Sequence, residues 1–593
     1  MRRVRIFSIF IILLAIVFFA ALHIRKNESR IELNNIQNIF SEKEAASLEA
    51  VSFVSPHHLV AEKMMEKIFS QAAEKNRNSK VERIILVSPN HFNLGRGWTL
   101  ASDADWPTEK SVVRGDKELI GELGNSGLAH LENDAFQKEH GIENLVSLVE
   151  KYFPGAMLVP LMVRDGMPSE KIDELAKFLS EKGGENSMLI LSADFSHTLE
   201  KNISRLHDRQ AIGTLKNFDF DGTEKLDVDC VPGLRLLMKF SSFHGFEKFI
   251  LMDNSNSSEI YGKNFIGENT SYVTGYFTKG KVSKFSEVSF LFLGDLMLDR
   301  DMRTLIRRKS PDFITEKIQR LFWSQDYNVA NLEGPITNAA SVSVGTTPEE
   351  KSHFVFTFDS QESGIFLKNN RINLVNIGNN HILNFKLEGL EETKNNLTAN
   401  GVEYFGNPLD SGNYWLKNIR GLKIALVSYN QFSGIDAETT ANLIKDLKTK
   451  SDFVVVYAHW GTEYQLKENE SQRKKSHAFI DAGADMVIGS HPHVVEPLEV
   501  YKNKIIFYSL GNFVFDQYFS EETRILLSVA VTLDQNGLEI ALVPLYQNRN
   551  GQIELAPEQK RQPLLERLAN DSMVDYTMKQ EIRNGYIIKK YKE

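Results

Sequence analysis

A single cysteine, Cys230, stands in 593 residues, so no intrachain disulfide framework can form and stability must come from packing or bound ions. Cysteine poverty also suits an oxidising compartment. Positive charge is not in excess either. The 69 Lys and Arg face 78 Asp and Glu, for a net charge of −9, and no Lys/Arg stripe is present, which disfavours nucleic acid as a partner. Hydrophobic and charged contents of 42% and 25% suggest neither disorder nor a polytopic membrane protein. No short-period repeat is visible. What remains is ordinary globular composition in a chain too long for one hydrophobic core, so two sizeable domains are expected.

The N-terminus carries the one long apolar run. Arg2, Arg3 and Arg5 precede apolar residues from Ile6 to Leu22, which end at His23, Ile24, Arg25 and Lys26. A span needs ~20 apolar residues, whereas the apolar region of a cleavable signal has about 7–15, so the length favours an uncleaved anchor. Neither a lipobox cysteine nor a clean small-residue cleavage site is present, with cleavage near Ala21 as the alternative. The expectation is a basic tail over 1–5, a transmembrane signal anchor over 6–24 and a stalk over 25–48. The protein is then a single-pass cell-membrane protein with its bulk extracytoplasmic.

Beyond the stalk, short β-rich runs such as Val81–Ser88 and Met188–Ser192 alternate with helical-period segments such as Ser169–Lys182, the pattern of an α/β fold. The polar stretch Thr278–Ser286 separates this region from a second patterned one. Domains are therefore expected over 49–279 and 286–593. In the second, apolar runs repeatedly end in polar side chains: Asp295, Glu333, Asn379-Asn380-His381, His459 with Glu463, Ser490-His491-Pro492-His493, and Gly511-Asn512. In open α/β sheets the carboxyl ends of strands form the ligand crevice, so these clusters converge on one site. Carboxylate, amide oxygen and imidazole are the donors that hold divalent cations, and two such metals activate water and clamp phosphoryl oxygens. Taken singly each is weak, because an Asp after a strand is usually a turn residue and a lone His is usually structural.

The ordered set GDLMLDR, NLEGPIT, NNHILN, HWGTEY, GSHPHVVEP and YSLGNFVFD resembles the CapA, or poly-γ-glutamate capsule-synthesis, family, related to calcineurin-like metallophosphoesterases. The resemblance implies an αββα sandwich holding divalent manganese, zinc or iron. By position it implies Asp295, Glu333, Asn380, His459, His491 and His493 as metal ligands, His381 as the transition-state residue, and Glu463 as a base or extra ligand. Met297 replaces the histidine usual in the first motif, and Asn384 replaces an aspartate, so a hydrolase and a pseudoenzyme both stay open.

The first domain has its own set: Ser55-Pro56-His57-His58, Ser88-Pro89-Asn90-His91, Glu139-His140-Gly141-Ile142-Glu143, Asp194-Phe195-Ser196-His197 and Cys230. It resembles the Memo family, called AmmeMemoRadiSam system protein B in prokaryotes, similar in fold to class III extradiol dioxygenases. That resemblance implies His57, His91 and His197 as a metal-facing trio, Cys230 as a nearby thiol, and iron or copper as the metal. The leading functional expectation is an envelope metalloprotein with a hydrolase-type site. It would act in synthesis, anchoring or processing of poly-γ-glutamate or another cell-envelope polymer or its precursors, in a membrane biosynthetic complex. Two alternatives are a non-catalytic polymer-binding scaffold, and an N-terminal redox domain joined to a C-terminal pseudoenzyme.

Overall fold

The computed structural model describes residues 50–590 apart from 263–268, 281, 283–286, 410–411 and 535–536. The N-terminal part is built on eight strands: β1 (Ser52–Ser55), β2 (Arg83–Pro89), β3 (Thr99–Ala101), β4 (His130–Leu131), β5 (Met157–Val163), β6 (Ser187–Ser192), β7 (Lys248–Asn256) and β8 (Ser271–Thr278). They form one sheet in the order β4-β3-β5-β2-β6-β1-β8-β7, with a parallel centre and an antiparallel β8–β7 edge. Helices cover both faces. Helices α1 (Glu62–Lys75) and α2 (His140–Tyr152) pack on one. Helices α3 (Ser169–Gly183), α4 (Lys201–Asn217) and α5 (Val231–Phe243) pack on the other. Burial on both faces explains the unbroken apolar runs of β2, β5 and β6.

The C-terminal part holds two sheets. The first comprises β9 (Val288–Leu296), β10 (Tyr327–Leu332), β11 (Ile372–Asn376), β12 (Glu403–Phe405), β19 (Asn512–Val514), β20 (Ile525–Asp534), β21 (Gly537–Gln547), β22 (Ile553–Leu555) and β23 (Tyr586–Lys590). Its order is β12-β11-β10-β9-β20-β21-β22, with β19 beside β9 and β23 beside β21. The second comprises β13 (Trp415–Ile419), β14 (Leu422–Asn430), β15 (Phe453–His459), β16 (Met486–Ser490), β17 (Leu498–Tyr501) and β18 (Lys504–Phe507), in the order β13-β14-β15-β16-β18-β17. A shared core that includes Phe290, Phe292, Val329, Leu426, Val455 and Tyr457 joins residues from both sheets. The helices Ser360–Asn369 and Lys386–Ala399 pack against the first sheet, and Ala437–Lys448 and Glu470–Asp481 against the second. Two glycines permit the close approaches that aim the site. A Cβ on Gly294 would lie 1.9 Å from the Gly511 carbonyl, and one on Gly489 would lie 1.8 Å from that of Tyr508.

Helix α4 belongs to both parts. Ile203 and Leu206 of its first half join the core of the C-terminal first sheet, while Ala211, Ile212 and Leu215 of its second half join the N-terminal core.

One expectation is corrected. The basic tail, the anchor over 6–24 and the stalk lie outside the described residues. Among the described residues no helix is long and apolar enough to cross a membrane. The 17-residue α4, for example, carries Lys201, Arg205, Asp208, Arg209 and Lys216. The single transmembrane helix, the single-pass membrane location with its extracytoplasmic bulk, and the membrane as a partner through that helix are therefore withdrawn. The fold is mixed α/β.

Candidate metal centres

In the C-terminal part, side chains at strand ends gather between the two sheets. Asp295 lies at the end of β9, and Glu333 one residue past β10; both are fully buried. Neither Glu333 oxygen has a hydrogen-bond partner. Around Oε1 stand the Nε2 atoms of His493 at 3.8 Å and of His381 and His459 at 4.0 Å. Asp295 accepts from the Asn331 amide at 2.8 Å and from the His491 backbone N–H at 3.1 Å. His459 Nε2 lies 2.8 Å from Asn380 Oδ1. Ligand atoms approach within 4.8 Å of one another in three overlapping groups: Glu333, His459 and His491; Asp295, Glu333 and His493; and Glu463, His491 and His493.

The surroundings set proton positions. Asn512 donates through Nδ2 to the Thr523 carbonyl (3.0 Å), so its Oδ1, 2.9 Å from His493 Nδ1, accepts from that ring. That leaves His493 Nε2 with a free lone pair facing Glu333. Likewise the Phe356 N–H donates to Asn384 Oδ1 (2.8 Å), which therefore accepts from His381 Nδ1 (3.1 Å) and leaves His381 Nε2 bare. Burial pushes His381 down to about 4 and His491 down to about 3. The same effect, with the neighbouring histidines, holds His459 well below its ordinary value. These imidazoles are neutral and competent as ligands. Burial, then the Asp295 charge, pushes Glu333 well above the carboxylate range.

His491 and His493 both adopt left-handed backbone, with φ of 94° and 60°, and flank Pro492. Such conformations cost about 1–3 kcal/mol each and concentrate at functional sites. Phe432 lies over His491 at 4.4 Å and Tyr464 over His493 at 6.0 Å. Met297 takes no part: it is buried in the core, and its sulfur accepts from the Asp299 N–H.

In the N-terminal part, His57, His91 and His140 form one group of close ligand atoms, and His57, Asp194 and Asp229 another. His57 Nε2 lies 3.6 Å from Asp194 and 3.4 Å from Asp229, and His91 Nε2 lies 3.7 Å from Asp229. Glu139 orients His91, accepting from Nδ1 at 2.5 Å and from the backbone N–H at 3.2 Å. Burial alone would lower His91, but hydrogen bonds to Asp229 and Glu139 outweigh it and push the pKa up to about 9. Burial, followed by the charges of His91 and His140, lowers His57 well below its ordinary value. Asp229 is pushed up to about 7, chiefly by burial.

Of the residues expected here, the structure brings His57 and His91 together. His197 stands outside both groups, yet near enough for its charge to act on His57 and Asp194. Cys230 is in neither group. It is buried at the N-terminus of α5, where burial pushes its thiol pKa far up. The residues that sequence reasoning did not assign as ligands are His140, Asp194 and Asp229, and in the other centre the orienting Asn331 and Asn512. His140 was visible within the EHGIE element, and Asp229 sits directly before Cys230.

Buried carboxylates facing imidazoles in an α/β protein mark this chain as one whose described residues could hold metal ions in two separate places. Comparison with known proteins then gives the family. Residues 289–517 match the family model described as bacterial capsule synthesis protein PGA_cap, and residues 25–273 match the one described as Memo-like protein. The PGA biosynthesis protein CapA of Bacillus subtilis is 32% identical over 278 residues, covering 43% of this chain and 71% of that protein. The capsule biosynthesis protein CapA of Bacillus anthracis is 28% identical, covering 44% of this chain and 67% of that one. A MEMO1 family protein of Pyrobaculum aerophilum is 26% identical, covering 36% of this chain and 79% of its own length. The chain belongs to the CapA capsule-synthesis family, with a Memo-like domain placed before the CapA-like one.

Proposed function

We propose that the CapA-like domain, spanning 286–593, is a metal-dependent hydrolase-type site acting on an ester or amide linkage of a cell-envelope polymer such as poly-γ-glutamate, or of its precursors. The Memo-like domain, spanning 49–279, is a second metal centre. The observation that carries the first reading is Glu333. A fully buried carboxylate with two unpartnered oxygens, beside a second buried carboxylate and three imidazole nitrogens, is costly unless a cation balances it. Asp295, Glu333, Asn380, His459, His491 and His493 are its ligands. The names of the Bacillus relatives support the polymer assignment.

Divalent ions bound there would lower the pKa of a coordinated water and neutralise charge on the attacked group. The protein's own part follows from its geometry. Asn512 fixes the His493 ring so that its lone pair faces the carboxylate, and Asn331 holds Asp295 from behind. His381, neutral and with a bare Nε2, takes a proton from the attacking water and hands it to the leaving group, the oxygen of an ester or the nitrogen of an amide. Glu463, which reaches the outer face of His491 and His493, serves as a further ligand or base.

The test is metal analysis of the intact chain, wild type against His491→Ala, together with hydrolysis of a generic phosphodiester such as bis(p-nitrophenyl) phosphate. Metal content and turnover both fall in the variant if the reading holds. Unchanged metal content would refute the ligand set, and a loaded but inactive wild type would favour a binding role.

A further inference from the structure

Arg320 lies in the 3-10 run Glu316–Ser324 of the CapA-like domain, yet its polar contacts run to the Memo-like domain. Its Nη1 donates to the His197 carbonyl at 2.7 Å and to Thr198 Oγ1 at 3.1 Å, and its Nη2 pairs with Asp227. Its own backbone carbonyl faces His207 Nε2 at 2.9 Å, and His207 Nδ1 lies 3.3 Å from Asp227. The guanidinium thus spans two segments, 194–198 and 227–229.

Those segments carry the carboxylates of the N-terminal centre. Asp229 accepts from the Asp194 N–H through both oxygens, at 3.1 and 3.2 Å, and its own N–H donates to the Asp194 carbonyl at 3.1 Å. The Oδ2 of Asp229 also faces His57 and His91. Thr198 holds a left-handed backbone with φ of 63°, a conformation that a β-branched residue keeps only when its surroundings impose it. The contacts that impose it include Arg320 and the Asn269 carbonyl, which receives the Thr198 N–H at 2.7 Å.

We propose that Arg320 is a positioning residue of the N-terminal metal centre, supplied by the other domain: a two-armed clamp that keeps Asp194, Asp229 and His197 in register for a divalent transition-metal ion. This rests on reading the His57, His91, Asp194 and Asp229 cluster as a metal centre. It also gives a physical reason for the two domains to share one chain, since the segments that carry Asp194 and Asp229 are braced from the CapA-like domain. A planar fork suits the role, because it holds a carboxylate and a carbonyl at once where a lysine offers a point charge.

The experiment is cobalt(II) titration of the full chain in a His491→Ala background, with the visible d–d band as readout. The band belonging to the N-terminal centre is the one that His91→Ala abolishes. Arg320→Ala is expected to weaken cobalt binding about 10–100-fold, the range for removing an outer support of a ligand, and to shift the band while far-UV circular dichroism stays unchanged. Arg320→Lys should restore affinity only in part. Asp227→Asn, which leaves Arg320 in place, should move affinity in the same direction by less, and it serves if Arg320→Ala does not fold. A His91-sensitive band that neither Arg320→Ala nor Asp227→Asn alters would overturn the clamp alone. If no band responds to His91→Ala, the metal reading itself fails and the clamp with it.

Discussion

Replacing Glu333 with glutamine removes one negative charge from the C-terminal cleft at nearly constant volume, and its effect on stability should change sign with metal. In chelator the wild-type charge is a liability: both oxygens are unpartnered, Asp295 is close, and the pKa is raised well above the carboxylate range. An acid whose folded pKa is raised contributes stability that is fully present below its unfolded value of about 4.3 and is lost as pH rises through the folded value. Metal-free wild type should therefore weaken relative to Glu333→Gln as pH climbs through that window. Leaving a buried polar group unsatisfied costs about 1–3 kcal/mol. The neutral amide keeps part of that penalty, so the variant should be the more stable protein by about 1 kcal/mol at pH 8 in chelator. With metal at 100 times its dissociation constant, the wild type gains about 2.7 kcal/mol. A variant binding 100-fold more weakly gains about 0.4 kcal/mol at the same concentration. The order of the two proteins should invert. Urea melts of the intact chain at pH 8, with chelator and then with manganese or zinc, measure both terms. A variant destabilised equally in both buffers would show that Glu333 is structural and refute the reasoning.

Asn512→Leu removes the acceptor that orients His493, so metal affinity at the C-terminal centre should fall about 10–100-fold by calorimetry. Asn384→Asp places a carboxylate against His381 Nδ1 and raises a pKa that now stands at about 4. The acid limb of the hydrolysis profile should move to higher pH. Glu139→Gln weakens the support that pushes His91 up to about 9. Since a raised histidine stabilises fully below its unfolded value of about 6.5 and loses that stabilisation through its folded value, the gap between wild type and variant in urea melts should be full at pH 6 and close above about 9.

The C-terminal site was the more legible of the two. Its candidate residues end apolar runs, and the rule that strand ends form the crevice is enough to gather Asp295, Glu333, His459, His491 and His493, although Asp295 and His491 are 196 residues apart. What the sequence did not disclose is which amide supports which ring. Asn331 and Asn512 sit within the same motifs, but their partners depend on strand register and on the close approach of Gly294 to Gly511. In the N-terminal domain the third histidine of the group is His140 at the start of α2, set there by the Glu139 cap and not by a strand end, so strand-end reasoning passed over it. Asp229 lies in a turn rather than at a strand end, beside Cys230, whose side chain turns into the core. No local pattern marks Arg320. Its meaning arises only where two domains meet, at a sequence distance of 123 residues from His197.

The polar stretch 278–286 divides the sequence, but helix α4 sets a different boundary for the energetics. Ile203 and Leu206 are covered by one core, and Ala211, Ile212 and Leu215 by the other. A cut at the polar stretch would strand an oily half-face of that helix in the first fragment and uncap the matching socket in the second. Residues 50–593 are thus one compact unit, and the two candidate metal centres it carries are produced in fixed one-to-one ratio for as long as that rib runs through both.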